Sequence, residues 1–347
     1  MKIDAWWFEN RQSESEILQP EVCFPKSHLG IYAELEDLLY PFKISVVAKK
    51  EKEEIYSREF EVNCNKETTE AFDITCNDCA FVFQSITKEV KDLPDEMHVK
   101  IFVGEKEYSD IIKCEYARIY GKITDFNGNP YPAFVALRRI AFGSDYAEMA
   151  VWSNGEGEYS VIVPKGFYNN FFVCDHAYGQ TVLENWSWQM LIDRDEEHNF
   201  KIGNGEVYSL AQWCNNGGGR TMFFWFRPMI LPSLNRKEYE TEINHIKRCV
   251  NDISPELELS DVKVTLNGRD LKVISLQKIY ETGDDYVMPA YIIQTERPSY
   301  KASDTVGKQT VIVEYNNEER KDNVGYLAQS QGRAQFYFKD FFALSLV

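Results

Sequence analysis

Trp186 and Trp188 lie two residues apart, with Asp175, His176, Tyr178 and Asn185 close by, and they carry the clearest chemical signal in the chain. On a strand, alternate residues share a face, so this spacing puts both indoles on one side. Two flat rings beside amide and carboxylate groups suit a carbohydrate platform, where apolar sugar faces stack on aromatics and hydroxyls bond to a polar rim. The same residues support a plainer reading. Tryptophan is highly buried on average, and a pair of them can fill a sandwich core or a domain junction instead.

Other candidate chemistry is thinner. Cys76-Asn-Asp-Cys79, with Cys64 before it and Cys114 after, could place two thiolates on zinc, but a closed structural site needs four ligands and no second close pair follows. These cysteines therefore read as small core residues beside a turn, with neither zinc nor an obligatory disulfide. A redox CxxC would open a helix in a βαβ setting, which this segment lacks. The histidines at 28, 98, 176, 198 and 245 form no HExxH pair. Asp193-Arg-Asp-Glu-Glu-His198 and Asp125-Phe-Asn-Gly-Asn129 lack the glycine placement of an EF-hand loop and read as solvated turns. No GxSxG elbow, Walker loop or dinucleotide fingerprint stands in a suitable context, so no catalytic residue, cofactor or metal is assigned.

The chain has 347 residues and a formal charge of −17. That length exceeds the range of a single growing core, and three domains are expected. The charge disfavours nucleic acid and anionic membrane as partners, since both are bound by neutralising phosphate with Lys and Arg. Asp4 and Glu9 interrupt any apolar stretch at the N-terminus, and the run Phe341 to Val347 falls far short of the roughly twenty residues that a spanning helix needs. With eight cysteines and no regular framework, these features lead to the expectation of a cytoplasmic protein.

Alternating apolar segments bounded by Gly, Pro, Asn and Asp clusters recur along the chain and predict an all-β protein of three consecutive β-sandwich domains. Residues 1–116 read as an immunoglobulin-like sandwich. It contains a hairpin between the alternating run from Phe42 and its partner Ile55 to Val62, and Trp6, Trp7 and Phe8 pack on a domain or mark a contact surface. Residues 117–214 follow, and Asn215-Asn-Gly-Gly-Gly219 reads as a linker because consecutive glycines resist ordering. In residues 215–347, Thr221 to Phe226 is apolar on both faces, as in a buried strand. Asn267-Gly268 marks a tight hairpin. Tyr239, Ile243, Ile246, Val250 and Ile253 fall at helical steps after a capping box at Asn235 and Glu238. This predicts one amphipathic helix over about Arg236 to Asn251.

In the middle segment, Gly121, Asp125, Gly128, Pro130, Ala133, Val135 and Leu137 are followed by Gly157, Tyr159, Pro164, Gly166 and Tyr168. This order resembles the carboxypeptidase regulatory-like domain, a transthyretin-like β-sandwich. The resemblance implies turns at 125–130 and 153–157, and a domain of a kind that commonly accompanies an activity without performing it. After Val173 the chain departs from the family pattern with the insertion that carries the two tryptophans. The sequence thus predicts a non-catalytic binding or assembly protein with a glycan or a protein as partner. The alternative is a hydrolase acting on carbohydrate or peptide in an interdomain cleft.

Overall fold

The computed structural model describes residues 1–9, 27–64, 71–76, 79–86, 90, 92–139, 149–214, 220–243, 245–282, 287–297 and 307–338. It is an all-β chain of packed sheets with one short helix, α1 (Lys321–Val324). The N-terminal unit holds β1 (Lys2–Phe8), β2 (His28–Glu34), β3 (Phe42–Lys50), β4 (Glu53–Val62), β5 (Ala71–Cys76), β6 (Cys79–Ser85), β7 (Glu96–Val103) and β8 (Lys106–Lys113). Sheet β1-β2-β6-β5 lies against sheet β4-β3-β7-β8. The alternation of Phe42, Ile44, Val46 and Ala48 buries one face of β3 against Leu29, Ile31 and Ala33 of β2.

The next strands are β9 (Tyr116–Thr124), β10 (Phe134–Arg138), β11 (Met149–Trp152), β12 (Glu158–Pro164), β13 (Gly166–Cys174), β14 (Asn185–Ile192), β15 (Glu196–Glu197) and β16 (Phe200–Lys201). A small sheet, β12-β9-β15 with β16 also on β9, covers β11-β10-β13-β14. Ile119, Ile123, Val135, Leu137, Val161, Val163 and Phe171 meet between the layers. Residues 125–130 and 153–157 are turns. Asp125 Oδ1 accepts hydrogen bonds from the Asn127 and Asn129 amides, and Asn154 Oδ1 accepts from those of Glu156 and Glu158. These side chains fix each turn locally.

The last strands are β17 (Gly205–Cys214), β18 (Thr221–Ile230), β19 (Lys237–Ile243), β20 (Ile246–Asp252), β21 (Val262–Leu266), β22 (Arg269–Leu271), β23 (Val273–Thr282), β24 (Val287–Glu296), β25 (Gly307–Asn316) and β26 (Gln329–Phe338). Sheet β17-β18-β24-β23 packs on β26-β25-β21-β22 around Phe224, Phe226, Ile293, Val311 and Val313. The latter four strands continue the middle unit's sheet, because β14 pairs in parallel with β26 and gives the order β11-β10-β13-β14-β26-β25-β21-β22. Asn267 and Gly268, at φ of 50° and 75°, make the expected hairpin turn.

The expected linker at 215–219 lies outside the described residues, between β17 and β18, which pair antiparallel with Cys214 opposite Met222. One sequence expectation meets a different structure here. The expected helix over Arg236 to Asn251 is instead the hairpin β19–β20, with Tyr239 opposite Val250 and Ile243 opposite Ile246. Thr241, Ile243, Ile246 and Val250 are β-branched and stiff at χ1, which favours the strand, and His245 turns the chain at φ 63°. Val250 is buried, while Ile246 is 52% exposed. Asn235 caps no helix, since its Nδ2 donates to Ser254 O at 2.8 Å.

β1 joins two units through its alternation. Trp7 enters the N-terminal core, and Trp6 and Phe8 enter the middle core. Trp6 lies flat over Gly30, where an added Cβ would stand 2.1 Å from Nε1, and the Arg139 guanidinium covers the ring at 4.8 Å. Gly30→Ala should therefore push Trp6 out of its slot at a cost of about 1–3 kcal/mol. The measurement is the denaturant midpoint, and an unchanged midpoint would refute this account of the slot.

Candidate functional site

β14 carries the two tryptophans, and the strand reading holds: Trp186 and Trp188 point to one face. Their rings stack on each other with centroids 4.8 Å apart and planes at 13°. The edge of Tyr208 from β17 meets both rings, at 5.5 and 5.3 Å. Trp186 also packs on Phe172, and the Arg138 guanidinium lies 4.7 Å from the Phe172 ring and 5.8 Å from that of Trp186. Trp186 is 6% exposed, and Trp188 is half-buried with its Nε1 donating to Val207 O at 3.3 Å. The indole faces are thus spent on each other and on neighbours, which is the packing of a junction core.

The remaining residues of the sequence-predicted site scatter. Asn185 points to the opposite face of β14, is buried, and donates from Nδ2 to Lys201 O at 2.7 Å, tying β14 to β16. Asp175 accepts from the Tyr131 hydroxyl at 2.6 Å and from the Ala177 amide at 2.8 Å, so its carboxylate organises a turn. His176 is exposed and stacks on Trp152 at 5.0 Å. Tyr178 is exposed, and Glu184 lies near its hydroxyl. Gln189, at φ 55°, reverses the alternation of β14, so Met190 and Ile192 turn into the middle core while the tryptophans face the other way.

Two acids that sequence reasoning passed over complete the cluster. Glu184, in the loop before β14, hydrogen-bonds to Glu206 at the start of β17. Burial raises the pKa of both above the ordinary carboxyl range, and for Glu206 the hydrogen bond and the charge of Glu184 raise it further. Two neighbouring carboxyls cannot both ionise cheaply in a buried site, so ionisation of the pair is pushed upward in pH. Glu184 was visible within the aromatic segment. Its pairing with Glu206 depends on β17 crossing over β14, which no local pattern announces.

The cysteines depart from expectation. Cys76 and Cys79 stand opposite each other at the end of the β5–β6 pair, and Cys79 is disulfide-bonded, which overturns the expectation of no disulfide. Cys64 is exposed and Cys114 is half-buried. Among the described residues, no group of three His, Cys, Asp or Glu side chains is placed to hold a metal ion.

The chain matches no family model and no curated protein sequence. Among solved structures it is similar to the group B streptococcus pilus 2b backbone protein, at 8% identity and a TM-score of 0.20, covering 51% of this chain and 92% of that one. It is also similar to Dpr2 Ig1-Ig2 in complex with DIP-Theta Ig1-Ig3, at 9% identity and a TM-score of 0.15, covering 96% and 99%. A third likeness is to the Bacillus anthracis TIE protein, at 9% identity and a TM-score of 0.21, covering 98% and 73%. At these values the likenesses carry no argument, and the all-β sandwich architecture rests on the strands themselves.

Two outcomes follow from the cluster. Trp186→Ala should cost about 3–5 kcal/mol of stability, because it empties a packed junction; a melting temperature within error of wild type would show the ring to be dispensable. The carboxyl pair has the opposite sign from a salt bridge. Its folded pKa values lie above the unfolded one, so its contribution is full below the ordinary Glu range and declines as pH rises through the raised values. Glu206→Gln, which cannot ionise, should therefore gain stability relative to wild type as pH rises. Denaturant midpoints with the same pH slope in both proteins would contradict the raised pKa values of the pair.

Proposed function

We propose that this chain is a non-catalytic, multi-domain β-sandwich protein that binds a glycan or a protein partner. In this reading its middle domain is a carboxypeptidase regulatory-like unit between an immunoglobulin-like domain and a last β-sandwich. The observation that carries the choice is the burial of Glu206: it is 4% exposed and its carboxyl lies against that of Glu184. Acids spent on a junction are not presented to a substrate. The hydrolase alternative draws on the same pair, since raised carboxyl pKa values mark many active sites. Glycosidases, however, hold their two carboxyls about 5–9.5 Å apart to admit the sugar and water, and these two lie against each other in a buried joint.

The support for binding lies on the outer face of the last sheet. Trp213 is 39% exposed and parallel to Phe223 at 5.4 Å and 9°. Trp225 is next on that face of β18, with the Arg227 guanidinium 5.9 Å from it and 5.3 Å from Tyr208. Gln294 stands opposite Phe223 in register. Such a face offers apolar rings beside an amide, a combination suited to neutral polyhydroxyl chains.

The test is a glycan array probed with the whole chain and with Trp213→Ala. Wild type should bind a defined set of glycans, and the variant should lose that binding while keeping its melting temperature. A glycoside- or peptide-hydrolysing activity that vanishes in Glu206→Gln would replace this reading with the enzyme.

A further inference from the structure

Arg333 of β26 reaches through the long sheet to the small sheet of the middle unit. Its Nη1 lies 2.9 Å from His198 Nδ1, and its Nη2 donates to Asn199 O at 2.9 Å. Guanidinium has no acceptor, so Nδ1 of His198 must accept, and the ring proton sits on Nε2. That nitrogen lies 3.1 Å from Glu196 Oε2, to which it donates. Every polar atom of the imidazole is thereby committed in its neutral form. Around it stand Lys308 of β25, which bonds to Glu196 and, at 3.1 Å, to Asp193, and Tyr159 of β12, whose hydroxyl donates to His198 O at 2.7 Å. Phe171 of β13 closes the remaining side.

We propose that the His198–Arg333 contact is an acid-sensitive clasp: it fastens the β15–β16 segment of the middle unit to β26 of the last, and it releases when His198 takes up a proton. A proton on Nδ1 would set an N–H against the N–H of Arg333, destroying the hydrogen bond. It would also bring two cations into contact where Arg333 and His198 are both nearly inaccessible to water. Glu196 cannot absorb the new charge alone, because it already faces Lys308. Burial, and then the Arg333 charge, hold the His198 pKa well below its ordinary value. The sign follows: the clasp is fully stabilising above the ordinary histidine range and weakens as pH falls below it. The Glu184–Glu206 pair on the other face of β14 behaves oppositely, since acid keeps it protonated. Release is therefore confined to the β15–β16 side of the junction, while the aromatic side stays closed.

Amide hydrogen exchange of the whole chain, corrected for intrinsic rates, tests the proposal between about pH 7.5 and about pH 5, the range in which an unconstrained histidine titrates. In wild type, protection of residues 196–201 and 329–335 should fall by about tenfold per pH unit below about 6.5, the slope of one proton. Protection of the N-terminal strands β3 and β7 should hold. His198→Gln keeps an acceptor for Arg333 and a donor for Glu196 but cannot take a proton, so its protection should be flat with pH. An equal fall in the variant, a uniform fall across all three units, or no fall in wild type would each overturn the clasp. If the variant fails to fold, the wild-type imidazole titration followed by NMR decides. The clasp requires the imidazole of the folded chain to gain its proton only below the ordinary histidine range, and a His198 that titrates within or above that range refutes the proposal.

Discussion

Three residue pairs hold the middle and last units to one geometry. Trp186 faces Gly332, Ser187 faces Arg333 and Trp188 faces Ala334 across the parallel β14–β26 contact. Paired residues share a side of the sheet, so this register alone decides that the tryptophans meet the last unit's core and that Arg333 emerges toward His198. The contact leaves little room. An added Cβ on Gly332 would stand 2.4 Å from Cβ of Val207, so β17 crosses the sheet at the one place where a side chain is missing. A slip of one residue would exchange the two faces and bury Arg333 among the aromatics.

The charges of the junction follow from that placement. Taking an ion out of water is costly, and the structure meets the cost differently on the two sides. On the small-sheet side Arg333 donates to two acceptors, a neutral imidazole nitrogen and the Asn199 carbonyl, with the Phe200 ring 5.4 Å away. On the aromatic side burial and mutual repulsion push ionisation of Glu206 upward, so the cost falls on the charged form of the acid.

Much of the fold was legible because it is local. Asp125 and Asn154 hold their own turns, Asn267-Gly268 forms its hairpin, and β18 buries every second residue along its length while its other face is partly covered. Patterns that admit two periods were not. Tyr239, Ile243, Ile246 and Val250 fit a helical face, yet across a hairpin the same four residues form two facing pairs, and β-branching decides for the strand. The glycine run at 215–219 reads as a linker from composition, whereas the pairing of β17 with β18 is a non-local fact. For the site, spacing placed Trp186 and Trp188 on one face correctly. What covers that face comes from Tyr208 and Glu206, whose approach is set by β17 and Gly332.

The same alternation that packs each sandwich also couples it to the next. Along β1, Trp7 belongs to one core and Trp6 and Phe8 to another; along β14 and β26, one set of side chains lines the aromatic junction and the other lines the clasp. A strand with a core on each side cannot slide or twist without disturbing both, so two of the three sandwiches share a sheet and the third is pinned by a strand that enters two cores. Rigid joints of this kind leave loops and outer faces as the places where a ligand can be met without unfolding anything. They also make any group buried in a joint a group whose protonation is felt by two units at once. His198 is in that position, since the guanidinium that its added proton would confront belongs to β26 and the groups that hold its backbone belong to β9 and β12.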